Sequence, residues 1–174
     1  YRFVAWGTKH RETDGDRPVL APDAPPPKAA ELAKQCRDLG HEPLMMFSTL
    51  YPEAKDRLAV LTQRLRQAAG AKIPQVLTFG HTEGGNEAVW SDRFKQLGPI
   101  ARDLGVLLVV KQHGGDTGTG EACAKIIRQV NDPAVMVNYD AGNVLDYLNV
   151  DPIPDLQPCA DVVRSFCIKD HGNS

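Results

Sequence analysis

Residues 101–113 read Ala-Arg-Asp-Leu-Gly-Val-Leu-Leu-Val-Val-Lys-Gln-His. They pass from a helix end through a turn into a strand. Gly105 sits where a left-handed residue closes a helix. Val106 to Val110 is apolar at every position, as in a strand covered on both faces. Two ionisable side chains, Lys111 and His113, follow at once. The pattern recurs outward along the chain. Arg37-Asp38-Leu39-Gly40 echoes residues 102–105, and Gly70 and Asn131 are expected to end helices in the same way. Apolar, β-rich runs at 1–6, 43–47, 74–79, 106–110, 134–139 and 163–168 alternate with helical spacing over 27–39, 52–69, 88–104, 119–130 and 154–162. The repeat of ~30 to 35 residues is the length of one strand-and-helix unit.

Alternation with buried strands means a parallel sheet clad in helices, either doubly wound or closed as a (β/α)8 TIM barrel. No G-x-G-x-x-G follows the first strand, where Trp6-Gly7-Thr8-Lys9-His10 leads into an acidic, Pro-rich stretch. A nucleotide fold is therefore disfavoured. Polar and ionisable residues gather after the strands instead: His10, Ser48 and Thr49, His81 and Glu83, Lys111 and His113, Asp140 and Asn143, Cys167 and Lys169. A barrel gathers its chemistry at that end of its strands. Six strands fall short of the eight, and of the ~250 residues, of a complete barrel. The reading is thus a single α/β TIM barrel domain over residues 1–174, with one strand expected before Tyr1 and one after Ser174.

The 174 residues carry 20 basic and 22 acidic side chains, a formal charge of -2. No basic field exists to hold nucleic acid through its phosphates, so no nucleic-acid partner is expected. No apolar run approaches the ~20 residues of a membrane span. The cysteines, Cys36, Cys123, Cys159 and Cys167, form no C-x-x-C pair, which argues against a disulfide framework and points to a reducing compartment, the cytoplasm.

Three segments carry the chemistry: Lys111-Gln112-His113-Gly114-Gly115, then Asn138-Tyr139-Asp140-Ala141-Gly142-Asn143, then Phe166-Cys167-Ile168-Lys169-Asp170-His171. In this order, from Gln75 to the end, the chain resembles the xylose isomerase-like barrel superfamily, of the sugar phosphate isomerase/epimerase and apurinic-endonuclease type. The Lys-x-His-Gly-Gly and Asp-x-Gly-Asn pattern marks a branch of it. The resemblance implies a small-molecule carbohydrate partner and a divalent metal (Zn, Mn or Mg); a homo-oligomer is a further expectation, apart from the resemblance. Of the ligands it implies, Asp140 alone is kept. Lys111 stands in place of a glutamate, Asn143 in place of a histidine, and Cys167 in place of the histidine before Lys169-Asp170.

Two readings of this centre follow. In one, Asp140, His113, Cys167 and a residue of the expected eighth strand hold a metal, a soft set that suits zinc better than magnesium. In the other the metal is absent. Lys111, disposed by burial or by Lys169 nearby to give up its proton, acts as base or electrophile, and His113 relays protons. Lys111, His113 and Lys169 are the catalytic candidates, and His81, Glu83, Asn138 and Asn143 the substrate-binding ones. Structural roles compete with each: His113 as a loop anchor, Asp140 as a turn former or helix cap, Cys167 as a small buried hydrophobe, Lys169 and Asp170 as an ion pair. The glycine-rich segment 114–120 opens a helix with Thr119 as its cap, and its amides suit a phosphate or an oxygen-rich sugar. The implied reaction is sugar or sugar phosphate isomerisation or epimerisation by proton transfer beside a carbonyl. Alternatives are a lyase or hydrolase acting on a keto sugar, and a sugar-binding barrel without catalysis.

Overall fold

The computed structural model describes residues 1–7, 19–48, 56–79 and 87–169. Six strands, β1 (Phe3–Trp6), β2 (Glu42–Ser48), β3 (Gln75–Phe79), β4 (Leu107–Lys111), β5 (Val135–Asp140) and β6 (Val163–Cys167), form one sheet in sequential order. Every neighbouring pair is parallel. The sheet curls into an incomplete TIM barrel. Helices α1 (Pro26–Asp38), α2 (Arg57–Ala71), α3 (Glu87–Asp103) and α4 (Gly120–Val130) join successive strands, and α5 (Ala141–Leu148) and α6 (Pro152–Leu156) lie between β5 and β6.

The strands are apolar on both faces because each face has its own partner. Val76, Leu108, Val110, Val135, Val137 and Tyr139 belong to a large cluster with helix residues such as Leu61, Leu65, Trp90, Phe94 and Ile127. Each fully buried side chain of this size contributes roughly 1.5 to 3 kcal/mol of transfer free energy. The alternate strand residues build a smaller inner cluster of Leu77, Phe79 and Val109, flanked by Met45, Phe47, Leu107 and Met136. Period-two alternation puts Lys111 on the same face as Val109, and Asn138 and Asp140 on the same face as Met136. The polar site therefore stands directly above the inner apolar cluster.

Gly40 and Gly105 adopt the expected positive φ, and so does Asn131. Gly70 does not end its helix. α2 continues to Ala71, and the left-handed residue is Lys72. A Cβ on Gly70 would lie 3.2 Å from Pro26 Cβ and from the Pro26 carbonyl oxygen, so the glycine serves the close approach of α1. The helix expected over 154–162 is two pieces, α6 and a 3-10 turn over Gln157–Val162. Helix α5 is absent from the sequence reading, because its first turn holds Gly142 and Asn143, which are poor helix formers. Its start is supplied by Asp140, whose Oδ1 accepts a hydrogen bond from the Asn143 N–H at 2.9 Å.

Candidate active site

β4, β5 and β6 deliver their last residues to one point. Asp140 closes β5 and is fully buried. Lys111, the last residue of β4, brings its Nζ to 3.4 Å from Asp140 Oδ2. Lys169, two residues beyond β6, brings its Nζ to 3.2 Å from the same oxygen. The Lys111 side chain is only 10% exposed and that of Lys169 36%. Neither ammonium is aligned for a directed hydrogen bond, so Oδ2 stays without one among the described residues.

Two residues to which the sequence motifs assign no role of their own fix this arrangement. Gln112 is fully buried, and its Oε1 accepts the Asp140 backbone N–H at 2.9 Å. Its carbonyl accepts Asn143 Nδ2 at 2.6 Å. Asn143 Oδ1 in turn accepts a hydrogen bond from Lys169. Both ends of the Asn143 amide are thus engaged within the protein, and the residue steers Lys169. Gly142 is the second. A Cβ there would lie 2.9 Å from Lys169 Cδ and 3.1 Å from its Cβ, so the missing side chain is the path by which Lys169 crosses α5. The sequence signal for it was the Gly between Asp140 and Asn143.

Phe47 and Phe79 form the floor, with Lys111 Nζ 6.0 and 5.1 Å from their ring centroids. His113 stacks on Phe79 at 4.3 Å between centroids, and its Nε2 lies 3.5 Å from the Tyr147 hydroxyl on α5. Asn138 pairs in register with Lys111 and donates to Ser165 Oγ at 2.7 Å, while its Oδ1 has no hydrogen-bond partner among the described residues. Cys167 pairs in register with Asp140. Burial pushes its thiol up, and the Asp140 carboxylate pushes it further, against the opposing pull of Lys111 and Lys169. His10, Thr49, His81, Glu83, Asp170 and His171 lie outside the described residues.

The glycine-rich segment has a different occupant from the one expected. Thr119 caps α4, accepting the Ala122 N–H at 3.1 Å. The Gly120 N–H donates at 2.8 Å to the Asp155 carboxylate, which also accepts from the Tyr139 hydroxyl. The positive end of α4 is thus satisfied by an internal anion. A cavity of about 320 Å³ beside Asn131, Asp132 and Pro133 opens at the opposite, N-terminal end of β5, away from these side chains. Among the described residues no helix is long and apolar enough to cross a membrane.

The family model described as the xylose isomerase-like TIM barrel matches residues 1–173. The chain belongs to that family. Solved structures similar to it include a sugar phosphate isomerase/epimerase from Parabacteroides distasonis, at 16% identity and TM-score 0.66, with 82% of this chain and 57% of that one covered. A D-psicose 3-epimerase with D-tagatose from Clostridium cellulolyticum has 12% identity, TM-score 0.68 and coverage of 83% and 58%. A xylose isomerase-like TIM barrel protein from Mycobacterium smegmatis in complex with magnesium has 17% identity, TM-score 0.64 and coverage of 89% and 70%. At such identities the likeness is one of fold. The chain spans little more than half the length of the first two. No curated protein matches it in sequence.

A xylose isomerase-like barrel holding magnesium raises the question of whether this donor set fits a metal. Among the described residues it does not. No group of three His, Cys, Asp or Glu side chains converges. The Asp140 oxygen that would face an ion is flanked by two ammonium groups, which have no lone pair to offer while protonated.

Proposed function

We propose that the chain carries the active site of a sugar or sugar phosphate isomerase or epimerase that moves a proton at the carbon beside a carbonyl. One observation carries this reading: two ammonium groups and one buried carboxylate converge at the C-terminal ends of β4 to β6. When a base takes a proton from that carbon, the electron pair of the C–H bond forms a C=C bond and charge moves onto the carbonyl oxygen. Ammonium groups held in place before the reaction stabilise that charge without reorganising. Lys111 and Lys169 take this role, and Asp140 holds both in position. His113, beside the Tyr147 hydroxyl, takes the proton and returns it. Return to the former carbonyl carbon, while the adjacent hydroxyl gives its proton to the enolate oxygen, isomerises the sugar; epimerisation requires a second acid that delivers a proton to the opposite face of the planar intermediate. Asn138 Oδ1 accepts a sugar hydroxyl, and Phe47 and Phe79 keep water from below. His81 and Glu83, which follow β3 in the sequence and lie outside the described residues, are the further candidates for substrate contact.

The test is solvent exchange. The full-length protein is incubated in D2O with D-fructose, D-tagatose and their phosphates, and deuterium at the carbons beside the carbonyl is read by NMR. Incorporation that His113→Ala abolishes supports the reading. A sugar that binds without exchanging any carbon-bound proton overturns it in favour of a binding barrel.

A further inference from the structure

Asp140 and the two lysines carry a combined charge of one positive unit, the same as a divalent ion resting on a single carboxylate. Two of the remaining donors near them, Asn143 and His113, are engaged elsewhere. Asn143 Oδ1 is taken by Lys169 and Asn143 Nδ2 by the Gln112 carbonyl. The His113 ring lies flat on Phe79. Lys111 is held on three sides, by Asp140 and by the rings of Phe47 and Phe79, and is almost fully buried. Its ammonium is thus a fixed part of the inner face of the sheet, unlike a mobile surface lysine.

We propose that Lys111, with Lys169, occupies the place of a divalent cation at Asp140, so that the centre binds the adjacent oxygens of its substrate through ammonium groups and without a metal. The substrate half of this statement rests on the reading of the site as a proton-transfer centre. The metal half stands on the geometry alone. A divalent ion brought to Asp140 meets two like charges within a few ångströms, in surroundings that water screens poorly. Replacing Lys111 by glutamate removes one of those charges and adds a carboxylate on the same face as Asp140. Two carboxylates and the oxygens around them then make a site of the kind hard cations accept.

Calorimetric titration of MgCl2, MnCl2 and ZnCl2 into the full-length wild type, Lys111→Glu and Lys111→Met tests this without any sugar present. The expected result is no saturable binding to the wild type in the micromolar range. Binding to Lys111→Glu should be tighter by about 100-fold, with Lys111→Met between them. Circular dichroism melts establish that each variant is folded. If Lys111→Glu does not fold, a gain of about tenfold in Lys111→Met over wild type carries the same conclusion. Tight binding of equal strength to wild type and variants would overturn the proposal. So would equally weak binding to all three, which would show that Lys111 is not what keeps the cation out. Because the titration reads metal alone, its outcome is separate from whether a sugar exchanges its proton.

Discussion

Removing the charge of Asp140 should destabilise the protein mainly through Lys111. Asp140→Asn keeps the side-chain oxygen that caps α5 but leaves both ammonium groups without their counterion. Lys169 is a third exposed and can turn to water, whereas Lys111 cannot. At the observed 3.4 Å, and with an effective dielectric of about 20, the gross Lys111–Asp140 attraction is about 5 kcal/mol. Desolvation of the two ions offsets several kcal/mol of this, so a net coupling of about 2 kcal/mol is expected. Losing one partner of a buried pair costs more than the pair is worth. Asp140→Asn alone should therefore cost about 3 kcal/mol, a fall in Tm of roughly 6 to 12 °C for a chain of this size. Lys111→Met retains the apolar stem over Phe47 and Phe79 and leaves Asp140 with Lys169, so its cost should be about 1 kcal/mol. Chemical denaturation of wild type, both single variants and the double variant closes the cycle. The double variant should be more stable than the sum of the singles by about 2 kcal/mol. A coupling under about 0.5 kcal/mol would refute the claim that the two side chains hold each other in place.

Two further outcomes follow from the same geometry. Cys167 should alkylate slowly with iodoacetamide at pH 8, where burial and Asp140 keep it a thiol, and react faster as pH rises through its raised titration range. Asp140→Asn should move that rise to lower pH and Lys169→Met to higher pH, read at the Cys167 peptide by mass spectrometry. An unchanged profile in both would contradict the placement of the thiol beside the cluster. Gly142→Ala should displace Lys169 while leaving the fold intact, with Tm within roughly 4 °C of wild type, because the helix start gains from alanine what crowding costs. Deuterium exchange should fall to the level of Lys169→Ala, and full retention of exchange would show that Lys169 does not need that path.

Much of this fold is visible in residues 101–113 and their echoes. Gly40, Gly105 and Asn131 take the left-handed positions that their place after a helical run demands, and the apolar runs become strands in sequence order. Gly70 misled because a glycine that lets a neighbouring helix approach has the same local signature as one that ends a helix. The charged members of the site, Lys111, Asp140 and Lys169, are legible because ionisable groups just after apolar strands stand out. Gln112 is not. A neutral side chain between two ionisable ones gives no sign that it points the other way and anchors the backbone of the next strand. For Asn143 the sequence suggests a substrate contact; that its amide is engaged by Gln112 and Lys169 depends on helix α5, which its own Gly and Asn hide.

In the proposed proton-transfer centre the cation is a lysine. The most direct test of this is deuterium exchange on a ketose by full-length wild type after exhaustive chelation and verified removal of metal, beside Lys111→Met treated in the same way. Metal-free wild type should exchange the proton beside the carbonyl at an undiminished rate, and Lys111→Met should not. Loss of exchange on chelation, with recovery when a divalent ion is restored, would contradict this.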